Sequence, residues 1–184
     1  AFTSQFTFGD SLSDNGNLFA FTRGAQPPAP YFNGRFSNGP TFVELLGNPL
    51  LPAATLSSIG INRDYAFGGA TAGPGSPVPT LIQQIALYQL QVPGRPTLPT
   101  DLFTVLAGAN DLIGALSAPT TPTNPASLDT AGAAAAQAAA TGVQALVSRG
   151  AKNIVVAGLP NLGATPRSLA AGGAAGVGGT CGLS

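Results

Sequence analysis

Four short runs along the chain are apolar and rich in β-branched or aromatic residues: Gln5 to Phe8, Ile61 to Phe67, Leu102 to Ala107 and Asn153 to Ala157. Each is followed by a turn rich in Gly or Asn. Their apolarity is continuous rather than alternating, which predicts strands covered on both faces, as in a parallel sheet. Stretches with helical spacing lie between them. Pro40 to Leu46 has a proline suited to a first helical turn and Gly47 just past its end. Thr80 to Leu90 places Leu81, Ile85 and Tyr88 on one face, to be packed against a sheet. Asp129 to Arg149 opens on an Asp that can cap a helix and closes at Gly150, with Val143, Leu146 and Val147 toward its end. Strands alternating with helices predict an α/β layered domain built on a parallel sheet.

Two stretches read as loops inside this rhythm: Thr22 to Asn33, rich in Pro and aromatics, and Ser117 to Ser127, poor in apolar residues. Neither has the look of a linker, so residues 1–184 are expected to form one domain, and a chain of this length can bury one core. The segment from Ala170 has no periodicity and reads as an exposed loop where a chain can be nicked.

Composition removes several function classes. Only 8% of residues are charged, with Lys+Arg and Asp+Glu balanced at 7 each and no basic run, so a phosphate backbone finds no footing and nucleic acid is not an expected partner. Mean hydropathy is +0.27, but the apolar stretches are broken by Gly, Pro, Asn or Thr well short of the roughly 20 residues a membrane span needs. With no His, one Cys and no clustered carboxylates, no metal site is expected, and no phosphate-cradling loop is present, so no cofactor is expected either. The start at Ala1-Phe2-Thr3 suits a secreted or cell-surface protein after removal of a leader, and the Ala/Gly/Pro-rich style suits a bacterial source. Cys181 reads equally well as a free thiol or as one half of a bridge to a partner elsewhere.

The segment Phe6-Thr7-Phe8-Gly9-Asp10-Ser11-Leu12-Ser13-Asp14-Asn15-Gly16-Asn17 carries the strongest chemical signal. A strand running into a Gly-Asp-Ser turn presents Ser11 at the carboxyl edge of the sheet, where open α/β sheets hold their ligands. A helix beginning there would favour negative charge beside Ser11. The plainer account is that Asp10, Ser11 and Ser13 only cap a helix, and Asp14 and Asn17 are taken as caps and turn anchors.

This segment resembles the opening of the GDSL, or SGNH, hydrolase family, and further segments similar to that family's secreted esterase and lipase branch follow in order. They are Arg35-Phe36-Ser37-Asn38-Gly39-Pro40 with Phe42-Val43-Glu44, then Asp64-Tyr65-Ala66-Phe67-Gly68-Gly69-Ala70-Thr71, Ala107-Gly108-Ala109-Asn110-Asp111, and Leu159 to Pro166. Asp64 stands where the family usually carries Asn. The resemblance implies a three-layer α/β/α fold with a central, mostly parallel sheet of the SGNH/flavodoxin-like type, incomplete in this chain. It also implies that Ser11 is a nucleophile. The N–H of Ser11, the N–H of Gly69 and the side-chain amide of Asn110 would form the oxyanion hole. Such donors are worth about 3–4 kcal/mol apiece in acyl transfer. Asp111 is expected to orient Asn110 or the following turn. The plainer accounts are a simple turn at Gly68-Gly69 and a helix cap at Asn110-Asp111.

The family's closing Asp-x-x-His segment has no counterpart here, because the sequence contains no histidine. A serine hydroxyl is a weak nucleophile without a base. Three explanations stand: these residues are the N-terminal part of a longer polypeptide completed by a second chain or fragment, with Cys181 available to bridge to it; a truncated, inactive form; or a pseudoenzyme. The first is the expected one. The expected function is therefore a carboxylic ester hydrolase acting through an acyl-enzyme on lipid, short-chain acyl or sugar O-acetyl esters, with Phe19, Phe21, Tyr31 and Phe32 available to line an acyl cleft. The competing class is a non-catalytic module binding an ester or glycan in the same pocket.

Overall fold

A computed structural model describes residues 1–47, 63–117 and 125–166. In chain order the elements are β1 (Ser4–Gly9), α1 (Asn17–Phe21), α2 (Phe42–Gly47), α3 (Leu81–Gln91), β2 (Asp101–Leu106), α4 (Ala109–Ser117), α5 (Pro125–Ser148) and β3 (Asn153–Val156), followed by a single 3₁₀ turn at Leu162–Ala164. The three strands form one parallel sheet in the order β1-β2-β3. Register is fixed by pairs such as Phe6 with Phe103 and Gly9 with Leu106.

The two faces of the sheet are buried in different ways. Phe6, Phe8, Phe103 and Val105 point into an apolar core with Leu81, Ile85 and Tyr88 of α3 and Leu146 of α5. Phe6 lies 4.9 Å from the Tyr88 ring and 5.3 Å from the Phe103 ring, within the range where aromatic pairs attract beyond their area. Gly142 lets α5 approach α3 closely, since a Cβ there would sit 2.8 Å from Ile85 Cδ1. The opposite face carries Gln5, Thr7 and Thr104, all buried and hydrogen-bonded: Thr7 to Thr104 at 2.8 Å, and Gln5 Nε2 donating to Thr7 and to the Val43 carbonyl of α2. Helices thus cover both faces, giving the α/β/α layering expected.

Three of the four apolar runs form the expected strands within a residue or two. The run from Ile61 does not. Residues 61–62 lie outside the described part, and Arg63 to Phe67 makes only one parallel bridge, Thr7 with Asp64. It still runs alongside β1, with Thr7 N–H donating to Arg63, Tyr65 N–H to Thr7 and Phe67 N–H to Gly9. The left-handed backbone at Arg63 (φ 67°) and the Asp64 carboxylate, which takes the Ala66 N–H, divert it from a regular strand. The expectation of burial on both faces also fails at β3, where Val155 and Val156 are 42% and 56% exposed.

Helix ends differ as well. α5 begins at Pro125, not at Asp129, because proline suits a first turn where no N–H is needed. Asp129 is therefore inside the helix. The expected loop from Ser117 to Ser127 loses both ends to helices, and residues 118–124 lie outside the described part, as does Cys181. α3 starts where expected, on a capping box in which Thr80 Oγ1 accepts from Gln83 N–H and Gln83 Oε1 accepts from Thr80 N–H.

Candidate active site

The turn after β1 is held from three sides. Gly9 has φ 148°, and a Cβ there would lie 2.0 Å from the Leu106 carbonyl oxygen, so only glycine fits against the end of β2. The same carbonyl accepts the Asp10 N–H at 3.2 Å. Gln84 of α3, fully buried, accepts the Gly9 N–H at 2.8 Å and donates to the Gly9 carbonyl at 2.9 Å. The chain then turns through Ser11 to Ser13, where Ser13 and Asp14 N–H both donate to the Asp10 carbonyl. Ser11 is partly exposed at the carboxyl edge of the sheet, and Leu12 beside it is exposed.

Gly69 and Asn110 reach this edge from either side of β1. The 63–67 segment ends with Phe67 N–H on the Gly9 carbonyl, so the Gly68-Gly69 turn lies next to the Ser11 turn. On the other side β2 ends at Leu106 opposite Gly9, and α4 starts three residues on, with Asn110 in its first turn. The two sides meet directly: Asn110 Nδ2 donates to the Ala70 carbonyl at 2.8 Å. An amide nitrogen has two hydrogens, so one stays available.

The two glycines differ in their surroundings. A Cβ on Gly68 would lie 2.5 Å from the Phe36 ring and 2.8 Å from Leu18, whereas one on Gly69 would meet nothing within 4 Å. Gly69, with φ 84°, is exposed between buried Gly68 and Ala70. Among the described residues, neither its N–H nor that of Ser11 makes a hydrogen bond. Among the described residues, Ser11 N–H, Gly69 N–H and one Asn110 N–H thus remain unspent along one edge.

Buried carboxylates frame these donors. Asp10 is 1% exposed, accepts Leu12 N–H with Oδ1, and leaves Oδ2 without a partner among the described residues. Burial, aided by the charge of nearby Asp111, pushes its pKa up to about 6. Asp14 accepts N–H bonds from Gly16, Asn17, Leu18 and Gly68, yet burial still raises its pKa. Asp64 is fully buried and takes the N–H groups of Asn15 and Ala66; burial and then the Asp14 charge hold it well above the usual carboxylate range. Asp111 accepts Ala72 and Gly73 N–H, fixing the glycine-segment loop and not Asn110 itself. Asp14 does cap α1, and Asn17 anchors the turn by donating to the Asp64 and Ala66 carbonyls. Arg35 and Glu44, from the second motif segment, form a two-pronged ion pair at 2.6 and 3.2 Å that ties the loop before α2 to that helix.

Gln84 escaped the sequence reading, although a signal existed. It occupies position i+3 on the face formed by Leu81, Ile85 and Tyr88, and a polar residue on an apolar stripe needs a partner inside. Among the described residues no group of three or more His, Cys, Asp or Glu could hold a metal ion, and no helix is long and apolar enough to cross a membrane.

The GDSL-like lipase/acylhydrolase family model matches residues 6–181. Over 120 residues the chain is 35% identical to the phosphatidylcholine-sterol acyltransferase of Aeromonas hydrophila, covering 61% of this chain and 34% of that protein. Over 161 residues it is 29% identical to the secreted effector protein SseJ of Salmonella typhimurium, covering 86% of this chain and 35% of that one. The chain thus spans about a third of the length of these curated relatives.

Proposed function

Because the chain belongs to the GDSL-like lipase/acylhydrolase family, we propose that it carries the nucleophile and oxyanion-stabilising half of a serine-dependent carboxylic ester hydrolase. The observation that carries this reading is the set of donors left unspent among the described residues, Ser11 N–H, Gly69 N–H and one Asn110 N–H, at the sheet edge where Ser11 is partly exposed. Ser11 Oγ attacks the ester carbonyl carbon, and the carbonyl oxygen takes the negative charge of the tetrahedral intermediate against these donors. Collapse expels the alcohol and leaves an acyl-serine, which water then releases as the acid. A relative named as an acyltransferase supports the variant in which an alcohol takes the acyl group in place of water.

The base that removes the Ser11 proton lies outside these 184 residues, which contain no histidine. The proposed source is a further segment or second chain that completes the domain, with Cys181 available to tether it. The substrate is a lipid or other acyl ester. Phe21, 63% exposed and edge-on to Phe67, offers an apolar surface beside the Gly68-Gly69 turn for the acyl chain, with exposed Leu12 next to Ser11. The proposed location is secreted or cell-surface in a bacterium, a reading supported by the relative named as a secreted effector.

The test is labelling of the full-length polypeptide with a fluorophosphonate probe, alongside hydrolysis of p-nitrophenyl acyl esters. Ser11 is the expected labelled residue, and Ser11→Ala abolishes both signals. A full-length protein that binds esters but neither labels nor hydrolyses them would instead be the non-catalytic binding module.

A further inference from the structure

Resting on that reading, we propose that Asp14 is a positioning residue for catalysis, holding the Gly68-Gly69 turn so that the Gly69 N–H faces the Ser11 turn. Its two oxygens divide their bonds between two segments far apart in sequence. Oδ1 accepts Gly16 N–H at 2.8 Å and Asn17 N–H at 2.5 Å, while Oδ2 accepts Leu18 N–H at 3.0 Å and Gly68 N–H at 2.7 Å. One carboxylate therefore fixes the start of α1, four residues past the Ser11-to-Ser13 turn, and the residue immediately before Gly69.

A cap alone would not need the Gly68 contact. Three N–H bonds already satisfy the first turn of α1, and the fourth reaches across 54 residues. The far end of the same loop is held independently by Asn110 on the Ala70 carbonyl and by Asp111 on the Ala72 and Gly73 N–H groups. Gly69 is the exposed residue between these two anchorages. A donor acts on the transition state only if it is aimed before charge develops, so the fixing of its neighbours is what makes it effective.

Asparagine at position 14 has one oxygen in place of two. It can keep one pair of N–H bonds, and its NH₂ group then faces two N–H donors. The α1 cap and the Gly68 anchor cannot both survive intact.

The experiment compares full-length wild type with Asp14→Asn, Asp14→Ala, Ser11→Ala and Arg95→Ala. Arg95 pairs with Asp101 at the opposite, amino end of the sheet and serves as a stability control. Each protein is assayed for kcat and KM on a p-nitrophenyl ester, for Tm, and for amide exchange at Gly68, with rates normalised to folded protein. The expected result for Asp14→Asn is a fall in kcat of about 10- to 100-fold with KM within about threefold, since one oxyanion donor is worth ~10²–10³ in kcat and here it is misaimed and not removed. Gly68 exchange accelerates in the same variant, Asp14→Ala loses at least as much kcat, and Arg95→Ala lowers Tm while leaving kcat unchanged.

An Asp14→Asn enzyme with unchanged kcat per folded molecule, beside an inactive Ser11→Ala, overturns the positioning role and leaves the serine reading standing. An active Ser11→Ala overturns both. If Asp14 were only a cap, Asp14→Asn would behave as Arg95→Ala does, losing Tm and keeping kcat.

Discussion

A carboxyl group such as that of Asp10, with one oxygen on Leu12 N–H and the other unpartnered among the described residues, is more comfortable protonated than ionised. Its pKa stands at about 6 in the fold, against 3.8 in an unperturbed chain. A raised pKa means that the folded state keeps the proton longer than the unfolded one. The contribution to stability is complete below about pH 3.8 and is lost as pH rises through about 6. Asp14 and Asp64 are raised too and act in the same direction. Asp10→Asn keeps the Leu12 contact and removes the charge. Its stability at pH 7.5 is therefore expected to exceed wild type by on the order of 2–3 kcal/mol, with a smaller fall between pH 4 and pH 7.5 in urea titrations. Equal slopes for the two proteins would refute the assignment.

Among the elements, α3 is the one that sets the Ser11 turn. Leu81, Ile85 and Tyr88 seal it onto the Phe6, Phe8 and Phe103 face, and this packing delivers Gln84 to Gly9. The side chain supplies one acceptor and two donor bonds, the third going to the Pro79 carbonyl. It stands in for a neighbouring strand just where β1 turns away from its partners. Gln84→Leu keeps the volume but leaves the buried Gly9 N–H without a partner. The expected cost is roughly 2–4 kcal/mol by thermal or urea melt, since a stranded buried polar group forfeits its full desolvation. Fluorophosphonate labelling of the full-length polypeptide should slow in parallel. A Gln84→Leu protein with native stability would show that the turn holds its shape without α3.

At the scale of the molecule, the two edges of the sheet differ among the described residues. The 63–67 segment flanks β1, while the outer edge of β3 has no strand partner among the described residues and Val155 and Val156 are exposed. Exposed parallel edges with apolar side chains are sites where further chain adds. On the reading that polypeptide outside these residues completes the domain, Val155→Thr with Val156→Thr changes this 184-residue chain by less than about 0.5 kcal/mol. The same pair costs the full-length polypeptide about 1–2 kcal/mol, because there the methyl groups are covered. Matched urea melts of the two lengths check this, and identical small effects in both would leave the β3 face uncovered in the complete protein.

The linear order of residues determined the alternation of strands and helices, because continuous apolar runs and i, i+3, i+4 stripes are local properties. It also carried the motif segments around Ser11, Gly69 and Asn110, since each is a short contiguous string. Run lengths could not tell that Arg63 to Phe67 would make a single bridge, which depends on where the Asp64 carboxylate finds its N–H. Nor could they tell that Asn110 and Asp111 reach the 70–73 loop rather than cap a helix, because they face that loop only when β1 and β2 lie side by side. Tertiary structure alone decided the long-range partners of Asp14, Gln84 and Asp111: the bonds to Gly68, Gly9, Ala72 and Gly73 span 38 to 75 residues, and nothing in the spacing of a sequence encodes them. It also split Gly68 from Gly69, adjacent and identical in the sequence, by packing one against Phe36 and leaving the other open.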